Sequence, residues 1–537
     1  MQSTIYWCRQ CNVPLYGNRC SRCGMEAKKL TTDVRPVFPE ERLLIEIILQ
    51  KPFEFLKKSV WNGTGNHYFV DGKKIAFSVK ELKKINADEV RRQYEKYSTQ
   101  NTYCYFDEMT GRFIEANKER YEYITQEAGN YIRKAVGEFG AMDMFVSFSG
   151  GKDSTVTSNL VLRALSTPQI MHIFGDTTLE FPFTYTYVER FKKNHPKTPV
   201  ISARNKEKDF EELCKLIGPP SRVMRWCCTV FKTGTIQKKI RSLYRDKKQI
   251  LTFYGIRRSE SVSRSKYERE SDSPKITKQR IISPIIDWMD FDIWLYILTT
   301  EIDFNDAYRL GYARVGCWCC PNNNQRAQFL SRIYMPERSK KWHDFLVGFA
   351  KKIGKPDPEV YVDSGKWKAR QGGNGLPSAS DVKIRFTNCT AEDHAKIYRL
   401  VRPFDDELVG MFVPFGRVAP ELGKKLLHEV IVLDSRTNVP ILSLQPFNQD
   451  GYDYAVKVRT MNVADHDDLQ RMVGYQIRKF NACRKCLKCE SLCRVGAITI
   501  DSCGYYIDPE KCVHCKTCMT AKYLDGGCMM DKYLRTK

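Results

Sequence analysis

No run of apolar residues in this 537-residue chain is long enough to suggest a membrane span. The most apolar early run, Leu43 to Leu49, is short and is broken by Glu46. The opening Met-Gln-Ser-Thr-Ile-Tyr-Trp-Cys has none of the apolar core that a secretory signal needs. With no signal peptide, a framework of extracellular disulfides is not expected, and the chain reads as a protein of the reducing cytoplasm without a membrane partner. The Gly-x4-Gly-Lys-Ser/Thr spacing of a Walker loop is also missing, so kinase or GTPase chemistry is not implied. Internal repeats and low-complexity tracts are absent apart from two cysteine triplets near the end. Acidic residues are in deficit: 63 Asp and Glu against 87 Lys and Arg leave a formal charge of +24. Basic pairs recur along the chain, at Lys57-Lys58, Arg133-Lys134, Lys238-Lys239, Lys340-Lys341 and Lys424-Lys425. Such an excess favours a polyanionic partner, DNA or RNA, or a nucleotide-binding surface.

What the chain does have is cysteine, 21 residues that fall mostly into tight groups, and in a reducing compartment such groups are expected to be metal sites. Cys8-x2-Cys11 and Cys20-x2-Cys23 form two knuckles of the tetrahedral Zn2+ type. A segment that short has almost no core, so the metal would supply its folding energy. The expected organisation is a zinc ribbon over 1–30, a small α/β unit over 31–100 and a helical linker over 101–139. A nucleotide domain over 140–335, an accessory α/β domain over 336–475 and a cysteine-rich module over 476–537 follow. Within the second segment, Asp71-Gly72 is the turn of a β-hairpin over Tyr68 to Ile75.

The most specific motif is Phe145-Val-Ser-Phe-Ser-Gly-Gly-Lys-Asp-Ser154, an apolar strand that ends in a loop shaped for phosphate. Gly150 and Gly151 let backbone N–H groups approach an anion closely, Lys152 adds a point charge, and a helix starting near Ser154 directs its positive end at the same place. Ser149 and Asp153 complete the loop. Strand-like runs Met144–Phe148, Ile170–Phe174, Pro199–Ala203, Ile250–Tyr254 and Ile281–Ile286 alternate with helical stretches, which predicts a parallel sheet covered by helices. Ligands of such sheets bind at the carboxyl ends of the strands. Gly175-Asp176-Thr177 and Gly255-Ile-Arg-Arg-Ser-Glu-Ser261 with Arg264 fall at those ends.

Together these motifs resemble the adenine-nucleotide α-hydrolase (PP-loop ATP pyrophosphatase) superfamily, within it the phosphoadenylyl-sulfate reductase-like branch. The resemblance implies an α/β fold with a parallel-sheet core and small zinc-ribbon, accessory α/β and ferredoxin-like modules. It implies that Ser149, Gly150, Gly151, Lys152, Asp153 and Ser154 hold phosphates, with Mg2+ as a candidate companion, and that Asp176 lies near the adenosine. Arg257, Arg258 and Arg264 would contact phosphate or sulfate, and Lys152, Asp153, Arg257 and Arg258 are the candidate catalytic groups. Cys227-Cys228 and Cys317-x2-Cys320 resemble the [4Fe–4S] motif of assimilatory adenylyl-sulfate reductases, with Cys319 as an extra thiol and zinc or inert cysteines as alternatives.

The tail, Cys483-x2-Cys486-x2-Cys489-x3-Cys493 followed by Cys512-x2-Cys515-x2-Cys518 and Cys528, resembles a two-cluster bacterial ferredoxin. That pattern assigns Cys483, Cys486, Cys489 and Cys528 to one [4Fe–4S] centre, and Cys512, Cys515, Cys518 and Cys493 to the other. Arg494 replaces the usual proline, Lys522 stands where the last cysteine is expected, and Cys503 is unassigned.

Three functions are compatible with this set. The complete Ser149–Ser154 loop points first to ATP cleavage to AMP and pyrophosphate, activating an acceptor for sulfur incorporation into nucleic acid, as in DNA phosphorothioation or tRNA thiolation. A sulfur-donor protein such as a cysteine desulfurase and an electron donor would then be partners. The second is reduction of adenylyl sulfate or its 3′-phosphate to sulfite with electrons from the tail. Against it stands the absence of the Glu-Cys-Gly-Leu/Ile-His motif that carries the nucleophile in such reductases; Gly526-Gly-Cys528 is the nearest analogue. The third is an ATP-binding redox subunit without catalysis.

Overall fold

The computed structural model describes every residue except 1–3, 207, 273–277, 381, 382, 502, 522, 523, 525, 536 and 537. Lys522, singled out in the tail, lies outside the described residues. The described residues group into two compact units, one drawn from 1–203, 242–272 and 278–342, the other from 204–241 and 343–537. Residues 204–241, inside the segment expected to form the nucleotide domain, thus cluster with the second unit. No described helix is long and apolar enough to cross a membrane.

In the first unit a six-stranded sheet runs in the order Val200–Arg204, Met171–Asp176, Met144–Phe148, Ile250–Tyr254, Gln279–Ile282, Glu270–Asp272. Met144–Phe148 pairs in parallel with both of its neighbours, Ile250–Tyr254 pairs in parallel with Gln279–Ile282, and the edge strand Glu270–Asp272 is antiparallel. Phe145, Val146, Leu251 and Phe253 are fully buried, as expected of strands covered on both faces. The strand expected over Ile281–Ile286 stops at Ile282, before Pro284, which has no N–H to give to a ladder.

The segment expected as a linker forms two helices, Cys104–Ala116 and Lys118–Val136, which belong to the core. Asn117, at the break between them, donates to the Pro14 carbonyl (3.0 Å) and accepts from the Tyr16 amide (3.1 Å). These bonds fasten the N-terminal three-stranded sheet (order Val13–Leu15, Ile5–Cys8, Lys28–Thr31) to the helices. A four-stranded antiparallel sheet follows, and its Asp71-Gly72 turn joins His67–Val70 to Lys73–Lys74 as the sequence predicts. Ile5, Trp7, Trp61, Phe113 and Trp294 share one core, so the small N-terminal sheets pack as part of the first unit.

The second unit is built on a six-stranded sheet in the order Phe386–Asn388, Ala395–Leu400, Tyr454–Thr460, Pro440–Phe447, Val430–Asp434, Gly416–Ala419. Every neighbouring pair is antiparallel. Helix His466–Ala482 buries Leu469, Val473, Ile477 and Phe480 in the same core as the sheet. That core continues without a break to Cys489, Ile498, Tyr505 and Cys518.

Candidate nucleotide site and cysteine centres

Met144–Phe148 leads directly into the loop, and helix Lys152–Leu165 begins at Lys152, two residues earlier than the sequence suggests. Gly150 takes φ +69°, a conformation open to glycine. A Cβ on Gly255 would sit 2.6 Å from the Asp153 backbone, so the end of the Ile250–Tyr254 strand approaches the loop at a distance that only glycine allows. Asn305 donates to the Gly150 carbonyl (3.1 Å) and to Thr184 Oγ1 (3.0 Å), which pins the loop from behind.

The charged groups of the loop are already matched. Lys152 Nζ lies 3.0 Å from Asp153 Oδ2 and 3.2 Å from Asp290 Oδ1. Arg257 Nε lies 2.6 Å from Asp153 Oδ1, and its Nη2 lies 2.7 Å from Asp290 Oδ1. Burial works against the Lys152 ammonium, but the carboxylates of Asp153 and Asp290 outweigh it and hold the group protonated. Burial likewise opposes ionisation of Asp290, and Lys152 and Arg257 overcome it, pushing its carboxyl well below the usual range. Asp33 accepts from the amides of Asp290 (3.0 Å) and Phe291 (3.0 Å), at the start of helix Asp290–Thr300. Its own carboxyl is pushed up to about 7 by burial and by the neighbouring Asp290 charge.

Backbone donors of the loop are engaged as well. The Lys152 amide donates to the Tyr308 hydroxyl (3.0 Å), the Ser149 amide to Ser154 Oγ (3.2 Å) and the Gly151 amide to Ser149 Oγ (3.4 Å).

The remaining arginines point to different partners. Arg258 pairs with Asp287 and donates to the Tyr267 carbonyl (3.0 Å), and Arg264 pairs with Glu260. Asp176 is buried and accepts from the Thr178 amide and the Tyr185 hydroxyl, each at 2.9 Å. The loop after it pairs with the cysteine segment: Phe181 donates to the Gly316 carbonyl (3.0 Å) and Trp318 to the Leu179 carbonyl (2.9 Å). Cys317 Sγ comes 3.5 Å from Thr177 Oγ1, which sets a thiol at a strand end of the nucleotide sheet. Cys320 closes a turn on the Cys317 carbonyl, and Cys319 is buried. Cys227 and Cys228 belong to the second unit, where they and Cys486 lie within electrostatic reach of Tyr533.

At the N-terminus the sulfurs of Cys8, Cys11, Cys20 and Cys23 all lie within 4.8 Å of one another, with Cys8–Cys23 at 3.5 Å and Cys11–Cys20 at 3.7 Å. Four sulfurs about 2.3 Å from one tetrahedral ion stand about 3.8 Å apart, so the set fits Zn2+. In the tail the two triplets repeat one geometry. Lys485 and Leu487 in the first run, and His514 and Lys516 in the second, hold φ between +50° and +63°, at the same offsets from Cys483 and Cys512. The Lys485 amide donates to Cys483 Sγ (3.4 Å), the His514 amide to Cys512 in the same way, and the Ala497 amide to Cys493 Sγ (3.2 Å). Backbone N–H groups turned towards clustered sulfurs suit a negatively charged metal centre.

Mutual electrostatic effects associate Cys486 with Cys483, Cys489 and Cys528, and Cys512 with Cys493 and Cys515. Cys518 feels Cys489, Cys512 and Cys515. Cys503 is exposed in the turn between Ile498–Ile500 and Tyr505–Ile507.

Asp33, Asp290, Asn305 and Tyr308 were not anticipated. Asp290 had a usable signal, an acidic residue at the first position of a helix that follows the Gly-Ile-Arg-Arg segment. Asp33 had none.

Three comparisons bear on this site. Residues 143–323 match the family model "Phosphoadenosine phosphosulfate reductase domain". An uncharacterised protein of Methanocaldococcus jannaschii is 32% identical over 260 residues, 48% of this chain and 60% of that protein. The adenosine 5′-phosphosulfate reductase of Anoxybacillus flavithermus is 29% identical over 185 residues, 33% of this chain and 72% of that enzyme. The chain spans about three fifths of the two M. jannaschii relatives it matches. Among solved structures, the phosphoadenylyl-sulfate reductase of Candida auris aligns at 18% identity and TM-score 0.29, over 38% of this chain and 97% of that one. The U34-tRNA thiolase of Methanococcus maripaludis, solved with its [4Fe–4S] cluster, aligns at 15% identity and TM-score 0.25, over 48% of this chain and 84% of that one. Residues 143–323, which hold the parallel sheet and the loop at its carboxyl edge, are thus similar to a phosphoadenosine phosphosulfate reductase domain.

Proposed function

We propose that the chain reduces an adenylyl-sulfate nucleotide, adenosine 5′-phosphosulfate or its 3′-phosphorylated form, to sulfite. The observation that carries this reading is the state of Lys152: its ammonium is matched by Asp153 and Asp290, and its amide by Tyr308. A loop compensated in this way offers little free positive charge to a departing pyrophosphate. A phosphosulfate, which releases no pyrophosphate, asks less of the loop. The curated relatives named adenosine 5′-phosphosulfate reductases support the same reading. Two electrons break the sulfur–oxygen bond; the adenosine phosphate leaves as its anion, and sulfur departs as sulfite with the electron pair.

In this reading Asp176 faces the adenosine end, Arg258 and Arg264 receive phosphate or sulfate oxygens in exchange for their ion pairs with Asp287 and Glu260, and Arg257 stays in the Asp153–Asp290 network. Cys8, Cys11, Cys20 and Cys23 would hold Zn2+ as a structural ion. Cys483, Cys486, Cys489 and Cys528, and Cys493, Cys512, Cys515 and Cys518, would hold two [4Fe–4S] centres, which supply one-electron carriers when bound. An external electron donor is then the required partner.

A second reading keeps one specific observation in its favour. The complete Ser149-Gly-Gly-Lys-Asp-Ser154 loop with a +24 chain suits ATP-driven sulfur incorporation into nucleic acid, with a sulfur-donor protein as partner. Anaerobic, iron-reconstituted protein separates the two. Sulfite from adenylyl sulfate or its 3′-phosphate, without pyrophosphate from ATP, is the expected result. Pyrophosphate release stimulated by DNA or tRNA, with no sulfite formed, overturns the first reading in favour of the second.

A further inference from the structure

Helix His466–Ala482 carries a buried charge that the nucleotide chemistry does not use. Lys479 is 1% exposed, and its ammonium donates to the Cys518 carbonyl at 2.8 Å. The helix ends at Cys483, whose amide donates to the Lys479 carbonyl at 2.8 Å, so one residue is bonded to both cysteine runs. The Tyr505 ring, its centroid 5.4 Å from Nζ, lies alongside. The groups acting on the ammonium are the thiols of Cys489, Cys518, Cys528 and Cys483, whereas neighbouring Arg478 pairs with the carboxylate of Asp531. A buried ammonium satisfied by one carbonyl is costly, and four ionised sulfurs would offset that cost.

We propose that Lys479 is a positioning residue that balances the charge of the iron–sulfur centre at Cys483, Cys486, Cys489 and Cys528 and raises its reduction potential. The inference rests on the iron–sulfur reading above. A centre held by four thiolates gains one more negative charge when it takes up an electron, and a fixed cation stabilises the reduced form more than the oxidised one. The hydrogen bond to Cys518 ties the same charge to the second run, so both centres feel it and the first, which contributes three of the four sulfurs, feels it more.

The test uses the full chain, anaerobically reconstituted, as wild type, Lys479→Met and Lys479→Arg. Iron and sulfide per chain are measured first, then each centre is titrated with dithionite under EPR detection. Lys479→Met with full iron content is expected to favour reduction of one centre about tenfold less, a fall of about 59 mV for one electron, while Lys479→Arg stays near wild type. Unchanged potentials in Lys479→Met at full iron content overturn the proposal. If Lys479→Met does not retain iron, Lys479→Arg decides: iron retained there supports the charge role, and iron lost in both shows that packing alone is at stake. Wild-type protein that takes up no iron overturns the iron–sulfur reading itself, and this is seen before any variant is compared.

Discussion

Lys152 in the nucleotide loop and Lys479 between the cysteine runs are the two most deeply buried lysines among the described residues, and they are answered in different ways. Lys152 meets carboxylates that the polypeptide itself provides, Asp153 and Asp290. Lys479 meets a carbonyl and a set of thiols. Lys152 and Arg257 hold those two carboxyls ionised against their burial, so the first lysine is balanced before a ligand arrives. Thiols buried together resist ionisation, and burial pushes the Cys486 thiol far up. The second lysine therefore depends on a bound centre to turn those thiols into thiolates. One region is electrostatically closed and must open to bind, and the other is electrostatically incomplete until loaded.

The contrast can be broken most sharply at the cysteines. Replacing Cys483 and Cys486 by Ser is expected to abolish the iron of one centre and to leave Lys479 without counter-charge. Iron content, visible absorption and the thermal unfolding midpoint should all fall together; retained iron would remove the first centre from this account. Replacing Cys227 and Cys228 by Ser is expected to lower iron further than the loss from the tail alone, and unchanged iron would make that pair an inert one.

Lys152→Met comes next. It leaves Asp153 and Asp290 sharing Arg257, a loss of about 3–5 kcal/mol for breaking a buried ionic network. Because the compensated Lys152 charge carries little of the proposed reaction, sulfite formation by protein that stays folded should fall far less than the about 100-fold expected for a lost oxyanion donor. Unfolding midpoints and single-turnover rates check the two effects separately.

Asp33→Asn should have a smaller, pH-dependent effect. Burial and Asp290 raise the Asp33 carboxyl to about 7 in the folded chain. The stability this provides is complete below the ordinary carboxyl range and is lost as pH rises through about 7. Asp33→Asn should therefore flatten the stability curve between about pH 4 and pH 7, measured as the denaturant midpoint across that window. A curve of unchanged slope would remove Asp33 from the electrostatics of the site.

Tyr308→Phe is the mildest change. It frees the Lys152 amide from its 3.0 Å hydrogen bond, at a cost of about 1 kcal/mol in stability. Affinity for inorganic pyrophosphate should rise several-fold by isothermal titration. No gain would mean that the loop stays closed for reasons other than Tyr308.

The strands Met144–Phe148 and Ile250–Tyr254 and the phosphate loop were legible in the sequence because apolar runs and glycine pairs carry their meaning locally. The cysteine groups were legible for a similar reason, since ligand spacing within a turn is a local property. The carboxylates that close the nucleotide site were not. Asp33 and Asp290 stand 257 positions apart and meet only because the N-terminal sheets join the core of the first unit. The antiparallel sheet of the second unit left no chemical signature, because its strands are built mostly of buried and half-buried residues without any motif.

By itself, the sequence determined the chemistry available to this protein: a phosphate loop, arginines at strand ends, and cysteines spaced for metals. Spacing within a few residues is set by backbone geometry, so it survives whatever the rest of the chain does. The tertiary structure alone decided how that chemistry is charged. Whether Lys152 faces an anion or a carboxylate, and whether Lys479 stands beside thiols or water, depends on contacts between distant segments. Buried charges take their properties from whatever the fold brings within a few ångströms.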